Sequence, residues 1–190
     1  MDAYGHLRVL VSLILGLSIT RVLSGLSRRI QQPGRTQAMH AQIVWAFVLL
    51  LSAVHFWWWE FALRDIPVWH FGAYVFVLSY AALFFLMATL IFPDAATDHA
   101  SSEDFFLRRR RWFFGLFALS FGFDLIDTLM KGTEHLRLLG PEYPLRLLAG
   151  AALALFATHP RNSSRRLAVL GLIWLLYDIS WIARRYDSLG

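Results

Sequence analysis

No cysteine occurs in the 190 residues. Disulfides, thiolate metal sites and a cysteine nucleophile are therefore excluded. Other signatures are missing too. There is no glycine-rich phosphate loop, no zinc motif and no serine nucleophile elbow. No two histidines stand four apart, so no helix carries a two-histidine metal face, and neither a metal nor another cofactor is expected. The first residues run straight into an apolar stretch that contains Arg21 and lacks a small-residue cleavage site, which reads as a retained first helix rather than a signal peptide.

What is present is apolar surface. Hydrophobic residues make up 57% of the chain and the mean hydropathy is +0.50. Soluble domains are about 45–50% apolar. The excess sits in blocks long enough to cross about 30 Å of hydrocarbon at 1.5 Å per residue. The blocks predict one all-α transmembrane domain of six helices, at approximately 7–26, 41–63, 70–92, 112–130, 145–158 and 167–182, with a polar linker over 94–111. Ser101, Ser102, Glu103 and Asp104 form a helix-start pattern, placing the beginning of the fourth helix near Glu103. Residues 131–144, with Gly140-Pro141, read as a loop. In size and hydropathy the pattern is similar to small bacterial permeases and channels, which implies a cell inner membrane but carries little about function.

The basic character, net charge +5, would suggest nucleic acid in a soluble protein. Here it fits cationic loops flanking membrane spans, and no nucleic-acid partner is expected. Arg28, Arg29, Arg35, Arg108 to Arg111, Arg161, Arg165 and Arg166 fall in loops on one side. Arg8, Arg64, Lys131, Arg137, Arg146, Arg184 and Arg185 fall on the other. The bias predicts non-cytoplasmic termini. Asn162-Ser163-Ser164 matches a glycosylation acceptor, in a loop expected on the cytoplasmic side.

Helices in lipid associate through close packing and hydrogen bonds. Span 1 carries Ser12, Gly16, Thr20 and Ser24 at every fourth position; span 4 offers Gly115, Ala118 and Gly122; span 5 offers Ala149, Gly150, Ala152, Ala154 and Ala157. These helices are expected to pack together inside or to form a subunit interface in a homo-oligomer. Span 3, with Phe76, Phe84 and Phe85, is expected to face lipid. Leu13, Gly16 and Leu23 align with Leu119, Gly122 and Leu129, which raises the prospect of two inverted three-helix repeats.

Ionisable residues inside a span are functional candidates because each costs several kcal/mol to insert. They are Glu60, Asp124, Asp127, Asp178 and Arg21, joined by His55. The four acids lie late in spans 2, 4 and 6, which run in one direction, so they should share a leaflet; Arg21 should lie nearer the other side. Local partners are available: Arg64 for Glu60, Lys131 for Asp127, and Arg184 or Arg185 for Asp178. Asp124 has no cation four residues on, since position 128 is Thr. Asp124 and Asp127 share a helix face, where two carboxylates cannot both ionise cheaply. Such a pair holds a proton, binds a small cation or meets an arginine from another helix. The expectation is a channel or transporter for protons or small cations, and not an enzyme. The alternatives are a membrane scaffold, sensor or subunit of a larger complex, and behind these a lipid-acting enzyme using Glu60 or His55.

Overall fold

The computed structural model describes residues 3–31, 40–66, 68–93 and 102–186. Every regular element among them is helical: α1 (Ala3–Gln31), α2 (His40–Trp59), α3 (Phe71–Ile91), α4 (Ser102–Met130), α5 (Thr133–Leu138), α6 (Glu142–Ala157) and α7 (Ser164–Tyr186), with a 3-10 segment (Glu60–Asp65) continuing α2. Five helical stretches are long and apolar enough to cross a membrane: those of α1, α2 with its 3-10 extension, α3, α4 and α7. The exterior agrees with this build. Leu13, Leu17, Ile173 and Leu176 are more than half exposed, whereas Asp127 and Asp178 are buried. Water-soluble folds have the opposite arrangement. The chain is built as an integral helical membrane protein.

Prolines set several boundaries. A residue before proline is pushed towards extended backbone. Ile66, before Pro67, has ψ 116° and ends the 3-10 segment; Phe92, before Pro93, has ψ 139° and ends α3. α4 starts at Ser102, one residue from the expected position, so the second half of the anticipated linker is helix; its first part, 94–101, lies outside the described residues. The anticipated loop over 131–144 contains α5 and the first turn of α6. Gly132 and Gly140, at φ 100° and 68°, supply the left-handed turns on either side of α5. Pro144 falls in the first turn of α6, where a missing N–H leaves no intrahelical bond unmade.

At 16 residues α6 is about 24 Å long, short of the roughly 30 Å hydrocarbon thickness. It nevertheless carries the chain back from one end of the bundle to the other. At one end Tyr4 reaches the Glu60 carbonyl, Lys131 meets Glu60, and Arg146 meets Asp178. At the other, Gln42 donates to the Ile91 carbonyl, Arg28 to that of Pro93, and the Trp45 indole to that of Leu167. The beginning of α1 and the end of α7 thus share the first end.

α1 packs on α3, α7 on α2, and α6 on α4, around a centre of α2, α3 and α4. Span 3 is therefore not the lipid-facing helix its phenylalanines suggested. Phe84 is buried, Phe76 stacks on Phe123, and Phe85 alone of the three points outward. Ala81 and Ala88, both fully buried, let α3 sit close to its neighbours. In a repeat, α1 on α3 would be matched by α4 on α7; α4 packs instead on α6, the fifth of the expected spans, so packing lends the inverted-repeat expectation no support.

Of the small residues, Gly150 and Ala154 do bring helices together. A Cβ on Gly150 would run into the rings of Phe121 and Trp174. Ser12, Gly16, Thr20, Ser24 and Gly122 are exposed, with open space over both glycines. Their side of the original alternative is the outer surface, not the bundle interior. The small residues of α1 that do pack are Ser18, which is buried, and Gly25, against Phe92.

Candidate functional site

The four acids come together, as their common depth required. The 3-10 extension of α2 and the late part of α7 each bring one carboxylate inward and α4 brings two, and two cations hold them. Lys131, the sequence's only lysine, pairs with Asp127 one turn back and with Glu60 at 3.5 Å. Its side chain is 1% exposed and its ammonium lies 5.0 Å from the Trp59 ring centre, so an aromatic face completes its shell. Arg146 on α6 donates to Asp178 of α7 at 2.7 Å and stands 3.6 Å from Asp124 of α4. Its guanidinium also lies within 6 Å of the Trp174 and Trp181 rings. Neither Glu60 carboxylate oxygen accepts a hydrogen bond among the described residues, and the same holds for Oδ1 of Asp127.

Two of the expected local pairs do not form. Arg64 joins the exposed Asp65 at 3.5 Å rather than Glu60. The cause is the 3-10 winding from Glu60 onward: three residues per turn no longer stack position i+4 over i. Arg184 and Arg185 lie about 9–10 Å beyond Asp178 along α7. They are taken instead by Glu142, at 2.7 Å, and by the Leu138 carbonyl. The Asp127–Lys131 pair does form, with the added Glu60 contact.

Backbone bonding fixes the cluster's frame. The Tyr143 hydroxyl donates to the Asp124 backbone carbonyl at 3.1 Å and therefore accepts from Thr128 at 2.7 Å. This ties the first turn of α6, with Arg146 one turn on, to the α4 segment that carries both aspartates.

A cavity of about 50 Å³ opens beside the cluster. Asp124, Arg146, His55, Ser52, Ser120 and Tyr80 supply its polar lining, and Phe56, Phe117, Phe121 and Trp174 are among its aromatic walls. A water needs roughly 10–15 Å³ of such space together with polar partners, so several waters fit. His55, half-buried on α2, thus belongs to the site as a lining residue, 5.8 Å from the Trp59 ring. Among the described residues no group of acids and histidines has the arrangement of a metal site.

No family model, curated protein or solved structure matches this chain. The site stands on its own geometry.

Arg21 is half-buried on α1. Tyr4 lies at the level of Glu60, which puts Arg21 about 25 Å further along the helix, in the other half of the bundle. That separation matches the depth argument and leaves the acids without Arg21 as a direct partner. Asn162, in the glycosylation pattern, is 5% exposed and donates to the Phe156 carbonyl at 2.7 Å, closing the end of α6. A glycan has no room on it.

Arg146 is the residue that sequence reasoning missed. It falls one position inside the expected fifth span, where the rule applied to the acids would have singled it out; counted as a loop cation, it escaped notice. Tyr143 and Thr128 carried no such signal.

Proposed function

We propose that this protein moves protons across the membrane, by itself or coupled to another solute, through a protonatable site built from Glu60, Asp124, Asp127 and Asp178. The observation that carries the reading is a charge count: four carboxylates, three of them buried and Asp124 only 14% exposed, share two cations, Lys131 and Arg146. The cluster is electrically neutral only when it also holds two positive charges from elsewhere, and burial makes an uncompensated charge expensive. Protons are the smallest carriers that fit. Asp124 borders the cavity and is the carboxylate best placed to exchange a proton with water inside it, beside His55, Ser52 and Ser120. Lys131 and Arg146 balance two of the four carboxylates and tie four helices to the site.

Beyond the cavity the way is closed by packed rings. Trp45 lies 4.7 Å from Phe114 and 5.4 Å from Phe117, and Phe106 packs against Phe113 and Phe114. Access from one side at a time, as in a transporter, accounts for such a plug better than a permanently open channel. In this reading α6 is a sixth, short crossing segment. The arginine-rich end faces the cytoplasm, the cluster lies in the outer leaflet, and Arg21 is the counter-charge of the inner half.

A second reading has one observation in its favour: each of the four acids is within reach of a cation, as in a locked structural core. A scaffold or sensor subunit would need no more. Proton flux into liposomes separates the two. The wild type is expected to dissipate an imposed pH gradient, and Asp124→Asn, folded as judged by its melting profile, to abolish the flux. Absence of flux from the wild type under pH and voltage gradients would favour the scaffold.

A further inference from the structure

The opposite end of the bundle carries a feature that proton movement does not use. The membrane-spanning stretch of α4, predominantly apolar apart from its two aspartates, runs from Trp112 to Met130, about 28 Å at 1.5 Å per residue, so residues 102–111 extend the same helix into the headgroup layer. There Arg108, Arg110 and Arg111, with Leu107 and Asp104, line an open groove of about 290 Å³. The charges do not cancel: three guanidinium groups face one carboxylate. Arg109 is occupied elsewhere, stacked 3.8 Å from the Phe105 ring centre.

The surface below the groove has a matching shape. At 100° per residue, Arg108, Arg111, Gly115 and Gly122 fall within about 60° of one another around the helix. Ideal Cβ atoms at Gly115 and Gly122 would have nothing within 4 Å, so this stripe is a furrow. Apolar, outward-facing side chains flank it: Trp112, 73% exposed, and Leu119, 48% exposed, on one side, and Leu125, 41% exposed, on the other. A cationic groove at headgroup depth, continuous with an apolar furrow running towards the membrane centre, has the two-part chemistry of a phospholipid.

We propose that this face of α4 binds one anionic phospholipid. Its phosphate is held by Arg108 and Arg111 with Arg110 at the rim, and one acyl chain lies in the furrow over Gly115 and Gly122. Guanidinium groups suit phosphate oxygens because they can offer two parallel N–H donors. Asp104 disfavours a second anion in the same groove.

The test is lipid titration of the delipidated protein in nonionic detergent, read by native mass spectrometry. Phosphatidylglycerol is compared with phosphatidylcholine. The expected result is a single phosphatidylglycerol bound in preference to phosphatidylcholine. Arg108→Gln/Arg111→Gln should weaken it roughly 25-fold, about fivefold for each arginine near the surface. Gly115→Leu/Gly122→Leu, which fills the furrow at exposed positions, should weaken the lipid while leaving any competition by inorganic phosphate unchanged. Arg161→Gln/Arg165→Gln, at the same end but off this face, should leave binding intact. Equal binding of the two lipids, equal loss in the Arg161/Arg165 control, or binding indifferent to the furrow variant would each overturn the proposal. Melting temperatures of all variants verify that the fold is retained.

Discussion

The two halves of this bundle are held by different physics. The half that contains the ends of α2, α4 and α7 is organised by charge: Lys131 and Arg146 each bridge acids from separate segments. The other half is organised by rings: Trp45 meets Phe113, Phe114 and Phe117 edge-on, and its indole N–H reaches the Leu167 carbonyl at 2.9 Å. In lipid the second arrangement has little hydrophobic driving force behind it, because the surroundings are equally apolar. It depends on fit. A Cβ on Gly171 would come within 2.8 Å of the Val44 side chain and 3.0 Å of the Trp45 ring, so α7 packs on these side chains with no room for a methyl group. The first arrangement depends on ion pairing, and its geometry holds only while both cations are present.

The sharpest way to break the contrast is Arg146→Met. It keeps most of the volume but leaves Asp178 and Asp124 without their cation in a buried place. The expected loss is about 3–5 kcal/mol, measured by denaturant unfolding in detergent, with part of it recovered when Asp178→Asn is added. A small loss in the single variant would mean that the cluster is far better hydrated than its burial implies. Next in size is Trp45→Phe in the aromatic half. It removes one hydrogen bond and some ring volume, and roughly 1–2 kcal/mol should be lost with no dependence on pH. A pH-dependent loss there would undo the division into two halves.

The smallest effect belongs to His135, at the charged end but outside the spanning segments. Burial, and then the nearby Lys131 and Arg185, hold its imidazole below the ordinary value of 6.5. The unfolded chain therefore takes up this proton first on acidification. Stability associated with neutral His135 is complete above the unfolded value and declines as pH falls through it towards the lower folded one. Unfolding midpoints at about pH 7.5 and about pH 5.5 should differ more in the wild type than in His135→Gln. Equal differences would show that His135 is solvated.

Much of the charged half was legible in the sequence, because a carboxylate in an apolar run needs a reason to be there. Helix direction then put Glu60, Asp124, Asp127 and Asp178 at one depth before any contact was known. Their partners were harder to read. Lys131 announced itself to Asp127 through spacing, but its contact with Glu60 depends on α4 and α2 ending side by side, which no local pattern encodes. Arg146 was readable and was passed over because it stood near a loop. The aromatic half was scarcely legible at all. Phenylalanine suits lipid and protein neighbours equally, so Phe84 and Phe85 look alike in sequence although one is buried and the other faces out. The same ambiguity misleads for small residues: four-residue spacing marks a smooth helix face without saying what lies against it. Gly150 meets Phe121 and Trp174, whereas Gly16 meets open space.

The burial of Lys131 reaches beyond the charge cluster. It is the only lysine in the chain and its side chain is 1% exposed. To amine-directed chemistry, whether a labelling reagent, a cross-linker or an acyl-transferring enzyme, the side chains of the folded protein are therefore silent. Any adduct that does form on Lys131 is a record of the cluster having opened.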